Sequence, residues 1–430
     1  MKSPFISTLI VAAVTASAAA GEWASFRGPN GDGISTAKNV PVEWGPNRNI
    51  KWKAPLPDRG NGSPIVSRDR VFVTCATDAG KNRHLFAFDR QTGKELWVKT
   101  VEAAPEPMIH STNDHAPSTP AADGKRVVVW HGSAGLYCYD YDGKELWSKD
   151  LGTFRHIWGF ASSPVFYGET ILLNCGPGER TFVTALDAAS GETIWKTDEP
   201  GGDSGEGGTG QSRGKYVGSW STPMVVKING EDQIIVSMPT RVVAYEPKSG
   251  SVIWTCSGLG NLPKGELVYT SPIIGDGYGV AMGGFNGPAI GFKLGGSGDM
   301  TATNQLWRES QGIPQRIGSG VMVEGVVYMA NAGPGTVQCI DPATGKDLWR
   351  DRLPGGDHWG SIVFADGRLY VTNQQGTTHV FKPNRERLEL ITSNRLGEPS
   401  NSTPAVVDGS IFIRTFKNLY CIEQQTIAAK

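Results

Sequence analysis

An all-β fold, an eight-bladed β-propeller of four-stranded antiparallel blades, is predicted by three features of this 430-residue sequence. A hairpin first read at residues 136–147, Leu-Tyr-Cys-Tyr-Asp-Tyr-Asp-Gly-Lys-Glu-Leu-Trp, recurs at spacings of tens of residues. Each unit opens on Ser-x-Pro, or a relic of it, and runs through two short β-branched strands before reaching the hairpin. No helical period breaks the series after the first twenty residues. One hairpin repeated at a spacing of tens of residues means a repeat architecture, and four short strands per unit select the propeller.

The units open at Ser63-Pro64, Ser118-Thr119-Pro120, Ser163-Pro164, Ser221-Thr222-Pro223, Ser271-Pro272 and Ser402-Thr403-Pro404, with Ser319-Gly320 and Ser361-Ile362 as relics. A polar turn such as Ala122-Asp123-Gly124-Lys125 leads to an apolar second strand, for example Val71-Phe72-Val73 or Ile411-Phe412-Ile413. In the hairpin, Asp89, Asp140, Asp187 and Asp341 suit turns that need a backbone N–H acceptor, and Gly93, Gly143, Gly191 and Gly345 suit positive φ. The Trp closing each hairpin buries a large apolar face against the next blade. The third strand position carries only Ala, Cys or Gly, which leaves room for that ring.

The eighth unit stops before its Leu-Trp strand, and the missing strand stands at the other end of the chain, around Trp52. The N-terminal strand is therefore expected to complete the last blade and close the ring, removing both free edges. The seventh unit is degenerate, with residues 388–391 in place of Leu-x-Trp. Residues 1–20 read as a cleaved signal peptide: Lys2, a short apolar stretch, then Ala18-Ala19-Ala20. The expected layout is a signal peptide at 1–20, an extended segment at 21–48 packed on the propeller through Trp23 and Phe26, the propeller at 49–425 and a tail at 426–430. With no lipobox cysteine and no later apolar run of membrane length, the protein is expected to be periplasmic or secreted, without a membrane span and monomeric.

A formal charge of −1 and the lack of a basic, aromatic-interleaved cluster exclude nucleic acid as an expected partner. Five of the six Cys fall in two strand registers of non-adjacent units, Cys138, Cys339 and Cys421 in one and Cys75 and Cys175 in the other, and the Cys read as small buried residues rather than disulfides. With no Cys/His cluster, no metal site is expected.

The long, varied connections all fall on one face, where fourth-to-first-strand loops deliver residues to the mouth of the central channel. These loops carry four of the seven His. The candidate ligand- or partner-binding set is His110, His115, Arg155, His156, Trp158, Arg213, Trp220, Tyr269, Arg316, His358 and Trp359, suited to an anionic or sugar-like ligand by charge-assisted bonds and stacking. Residues 201–210 are Gly-rich but lack the Lys and helix of a phosphate loop. No catalytic constellation is readable.

The repeated Ala/Cys-x-Asp-x-x-Thr/Ser-Gly-Lys-x-x-Trp resembles the tryptophan-docking repeat of pyrroloquinoline-quinone (PQQ)-type propellers across roughly residues 50–425. The opening Trp23-Ala-Ser-Phe-Arg-Gly-Pro-Asn-Gly-Asp-Gly is similar to the start of exported PQQ-like repeat proteins of planctomycete-type bacteria. The family contains quinoprotein dehydrogenases and non-enzymatic relatives such as BamB. The dehydrogenases hold PQQ against a disulfide of adjacent Cys with calcium nearby, and no Cys-Cys pair exists here. The resemblance therefore implies a BamB-like, non-catalytic binding or scaffold protein without PQQ or calcium, acting in cell-envelope or outer-membrane protein assembly. Its expected partner is an envelope protein or a small or glycan ligand at the loop-rich face. A PQQ-dependent alcohol or sugar dehydrogenase and a carbohydrate-binding propeller are the alternatives.

Overall fold

The computed structural model describes residues 21–105, 109–203, 210–212, 215–260, 265–309 and 315–425. Residues 1–20, read from the sequence as a signal peptide, the tail at 426–430, Arg213 and most of the Gly-rich run lie outside the described residues. Eight antiparallel blades form the molecule, each ordered from inner to outer strand as the chain runs. The first blade is Ile65–Ser67, Arg70–Thr77, Asn82–Asp89 and Glu95–Glu102. The last has three strands from the C-terminal end, Ala405–Val407, Ser410–Arg414 and Asn418–Glu423. Its outer strand is Ile50–Pro55, with Trp52 opposite Cys421, so the ring closes as the sequence predicts.

Apolar side chains cluster between neighbouring blades, not in one centre. Phe72, Leu85, Val127 and Tyr139 fill the seam of the first and second blades, and Leu172, Val183, Ile234 and Val243 that of the third and fourth. The hairpin Trp sets the geometry of these seams. Each lies opposite the small residue of its own third strand: Ala87 with Trp97, Cys138 with Trp147, Ala185 with Trp195, Gly291 with Trp307 and Cys339 with Trp349. A Cβ on Gly291 would come within 2.1 Å of the Trp307 ring. A β-bulge beside every such pair turns the outer strand and increases its twist.

The indole N–H then reaches the next blade. Trp52, Trp97, Trp147, Trp195, Trp307 and Trp349 donate to the carbonyls of Arg90, Tyr141, Ala188, Pro247, Pro342 and Asn384 at 2.8–3.1 Å. Trp254 departs from this pattern. Its indole donates to Gln233 Oε1 of its own blade, and Gly298–Asp299 adds a parallel fifth strand against its outer edge. The turn glycines serve two ends: Gly93, Gly143, Gly191 and Gly345 have φ of 71–83°, and each lies against the preceding blade's Trp.

The Ser/Thr before the unit's Pro has a role that composition does not suggest. Around the channel, the backbone N–H of Ser63 donates to the Thr119 hydroxyl, Thr119 to Ser163, Ser163 to Thr222, Thr222 to Ser271, Ser271 to Ser319, Ser319 to Ser361, Ser361 to Thr403, and Thr403 back to Ser63. The eight bonds span 2.9–3.1 Å and form a closed collar. The following Pro holds the collar residue extended. Ser319 and Ser361 keep the bond without the Pro, so the hydroxyl is the part the collar needs. Thr222→Val, which keeps the shape but removes the acceptor, should leave the buried Ser163 N–H unpaired. A loss of about 1–3 kcal/mol in urea-induced unfolding is expected.

The N-terminal segment enters the channel from the face opposite the long loops. Trp23 exchanges backbone bonds with Val66, and the Ala24 carbonyl accepts from Ala122. The Arg27 guanidinium, fully buried, donates to the carbonyls of Asp32 and Gly320. Burial lowers its pKa to about 10, against the opposing pull of Asp32. Ile34–Ser35 finally runs parallel to the inner strand of the seventh blade. The six Cys are buried and unpaired. Among the described residues, no helix is long and apolar enough to cross a membrane.

Candidate functional site

A funnel of about 750 Å³ opens on the loop-rich face, above the hydroxyl collar. Its wall follows from strand alternation. Counting two residues back from each collar Ser/Thr gives Asn61, Pro117, Ala161, Trp220, Tyr269, Ile317, Trp359 and Asn401, and all eight line the funnel. Residues point alternately to opposite sides of extended chain. The intervening positions therefore turn away: Arg316 and His358 are buried in the wall, flanked by Ile317 and Trp359 that face the channel. Phe26, carried up by the N-terminal segment, joins the lining.

This alternation sorts the sequence-predicted set. His110, Trp158, Trp220, Tyr269 and Trp359 line the funnel; His115, Arg155, His156, Arg316 and His358 do not. Arg213 lies outside the described residues. His156 packs edge-on against Trp220 at 4.9 Å and its Nδ1 accepts the Trp158 N–H at 3.1 Å; burial pulls its pKa down to about 3. His358 packs beside His379 at 5.7 Å, and burial, then the neighbouring imidazole, lowers it to about 4. Arg316 pairs with Glu309 at 3.1 Å, beside a separate cavity of about 160 Å³ between the fifth and sixth blades. Burial lowers its pKa, with Glu309 opposing. His115 shares its Nδ1 with Arg83 at 3.4 Å.

The funnel has two unlike arcs. The loops entering the second to fifth blades contribute a run of rings: His110 stands 4.6 Å from Trp158, Trp158 lies 6.5 Å from Tyr216, and Trp220 meets Tyr269 edge-on at 5.2 Å. Tyr216 belongs to a small rim sheet in which Lys215–Ser219 runs parallel to Glu266–Val268, an element absent from the repeat. The opposite arc, from the seventh blade round to the second, is polar. Gln374 donates to Asn401 at 3.0 Å and Asn401 to Asn61 at 2.9 Å, forming a chain of amides along the wall. Asp357 and Asp114 flank it. Asp114 Oδ1 accepts the Ala116 N–H at 2.8 Å, and burial raises its pKa despite the Arg414 guanidinium.

Sequence reasoning places Asp114 and Asp357 on the channel-mouth loops without selecting either, and passes over Asn61, Gln374 and Asn401 as site residues. The collar motif was the signal that could have found Asn61 and Asn401, because each stands two residues before it.

Whether the lining suits PQQ with calcium can be judged from its donors. A tricarboxylate quinone calls for cations and a metal for a cluster of ligands. No Arg or Lys is among the described residues lining the funnel, and no group of three His, Cys, Asp or Glu able to hold a metal occurs among the described residues. These residues do not fit the group.

The family model for the outer membrane protein assembly factor BamB matches residues 42–117, 81–332 and 333–429. The fold is shared with the crystal structure of BamB from Moraxella catarrhalis, at a TM-score of 0.56 and 14% identity, covering 92% of this chain and 100% of that one. Quinohemoprotein alcohol dehydrogenase from Comamonas testosteroni has it too, at a TM-score of 0.62 and 13% identity, with 97% and 83% covered. Tetrathionate hydrolase of Acidithiobacillus ferrooxidans is 22% identical over 365 residues, 75% of this chain and 64% of that protein. The chain spans between 25% and 64% of the length of the first curated relatives it matches.

Proposed function

The chain belongs to the family of the outer membrane protein assembly factor BamB, and from that premise we propose that it is an exported, non-catalytic binding propeller of the cell envelope. Residues 1–20 act as its export signal, residues 21–48 anchor and floor the propeller of residues 49–425, and the product works in the periplasm or outside the cell. Its loop-rich face receives the partner, and the funnel receives the part of it that enters the channel. The observation carrying this reading is the orientation of the reactive side chains. Four of the predicted His and Arg residues, His156, Arg316, His358 and His115, are spent on the wall and its neighbours, while the funnel presents mainly rings, amides and hydroxyls, with His110, Asp114 and Asp357 among them. Such a surface supports recognition by shape and hydrogen bonding.

A PQQ-dependent alcohol or sugar dehydrogenase is the competing reading, drawn from fold neighbours that bear that name. The cation-free lining weighs against it. Affinity capture from envelope extracts, with wild type and a Trp359→Ala chain in parallel, tests the proposal. A partner retained by the first and depleted with the second is the expected result. Dye-linked alcohol oxidation appearing on addition of PQQ and calcium would overturn it.

A further inference from the structure

We infer that the funnel is a binding site for a neutral saccharide, one ring of which stacks on Trp359 beside the amide arc; this rests on the binding reading above. The distribution of tryptophan gives the first argument. Of the 13 Trp, seven occupy the hairpin register and Trp23, Trp44 and Trp130 are buried in the core. The three left over are Trp158, Trp220 and Trp359, contributed by three different blades, and every one of them lines the funnel. Trp220 is tied down by its indole bond to the Gly159 carbonyl at 3.0 Å. The Trp359 indole is half-buried and makes no hydrogen bond among the described residues. No seam needs it, so its exposed face is free to carry a ligand.

The polar arc, in which Trp359 itself stands, gives the second argument. The Asp357 carboxylate is half-buried at the funnel wall and has neither a hydrogen bond nor an ion pair among the described residues. Beside it, the amides of Gln374, Asn401 and Asn61 hold one another in fixed orientation. An amphipathic ring with a C–H face and a hydroxyl edge is the ligand that satisfies the indole and the polar groups at once. Its face lies on the indole, and its hydroxyls donate to the carboxylate and exchange bonds with the amides.

Charge narrows the class. With Asp357 present and no Arg or Lys among the described lining residues, an acidic sugar or a phosphate would be desolvated beside a carboxylate without compensation. A neutral sugar carries no such charge penalty, and its hydroxyls can exchange water for the wall's amides and carboxylate. The volume of about 750 Å³ accommodates one or two sugar rings, leaving a longer chain to pass out over the loop face.

The test is calorimetric and fluorescence titration of the full chain with cello-, malto-, manno- and xylo-oligosaccharides, an oligogalacturonate, a glucosamine oligomer and PQQ. Saturable one-to-one binding of a neutral oligosaccharide is expected, at least about tenfold tighter than the oligogalacturonate, which corresponds to about 1.4 kcal/mol. Trp359→Ala should weaken it about tenfold or more and Asp357→Asn about fivefold, with unchanged melting in both variants. Preference for the uronate, the amine-bearing oligomer or PQQ overturns the inference, and so does neutral binding that ignores both substitutions. If no neutral oligosaccharide binds a chain that still captures an envelope protein, the saccharide inference falls and the partner-binding reading stands.

Discussion

Trp195→Ala is expected to lower the stability of the propeller by about 3–5 kcal/mol, the range for truncating a large buried aromatic. Trp195 is 8% exposed, stacks on Tyr245 at 6.4 Å between ring centres, and donates to the Pro247 carbonyl at 2.8 Å. Truncation opens a cavity in the seam of the third and fourth blades and strips one carbonyl of its donor. The same seam can be attacked from the other side. Gly250 has φ of +69°, and a Cβ there would stand 2.3 Å from the Trp195 ring. Gly250→Ala therefore suffers both backbone strain and a clash with a ring that cannot move. Gly230 has φ of +90° but nothing within 4 Å, so Gly230→Ala isolates the backbone cost, about 1–2 kcal/mol. Chemical denaturation of the three variants checks the order: Trp195→Ala and Gly250→Ala well below wild type, Gly230→Ala close to it. Equal losses for the two glycines would mean that the ring contact contributes nothing.

That contrast shows why the fold was legible while the site was only partly so. Trp52, Trp97 and Trp195 recur at one register because most blades meet their neighbours in the same way, and a requirement met in seven of eight blades leaves a period in the sequence. The closing strand was found by the same means, since a missing Leu-Trp at one end and a spare Trp52 at the other have one geometric solution. Trp254 reads as another copy, yet its indole turns to Gln233 because Gly298–Asp299 occupies the edge beside it. A one-off insertion has no period, and it could not be anticipated. The rim sheet around Tyr216 is of the same kind.

At the funnel, residue type misled where direction decided. Arg316 and His358 are the residue types that ligand sites use, but extended chain sends them into the wall while Ile317 and Trp359 face the channel. The collar hydroxyl fixes that phase in every unit, so the funnel wall was encoded in the Ser-x-Pro motif. The motif had been used only to count blades. The N-terminal segment was expected to be held by Trp23 and Phe26. Trp23 bridges to Val66 through its backbone, whereas Phe26 lines the funnel.

The buried histidines carry the second large effect, a loss of stability on acidification that should begin near pH 6.5. His131, His156, His358 and His379 are each at most 2% exposed. Burial brings His131 and His156 to about 3 and His358 and His379 to about 4. In the unfolded chain all four titrate near the ordinary 6.5. Between about pH 6.5 and 4 the unfolded chain therefore binds more protons than the folded one, and stability must fall as pH falls. It is fully present above pH 6.5. Each histidine contributes a slope of up to about 1.4 kcal/mol per pH unit, so four together reach about 5. Asp114 and Glu199 work against this, because burial raises both and the folded state gains from protonating them. Two carboxyls cannot cancel four imidazoles, and their ordinary range lies lower, so the upper part of the window belongs to the histidines. The expected result is a urea midpoint that is level from pH 8 to 7 and drops steeply from pH 6 to 5. His379→Gln, which keeps a polar group beside Ser393 where the imidazole now bonds at 2.9 Å, should remove about one quarter of that slope. A midpoint unchanged between pH 7 and 5 would show that these side chains reach water or a proton-accepting partner in the folded state.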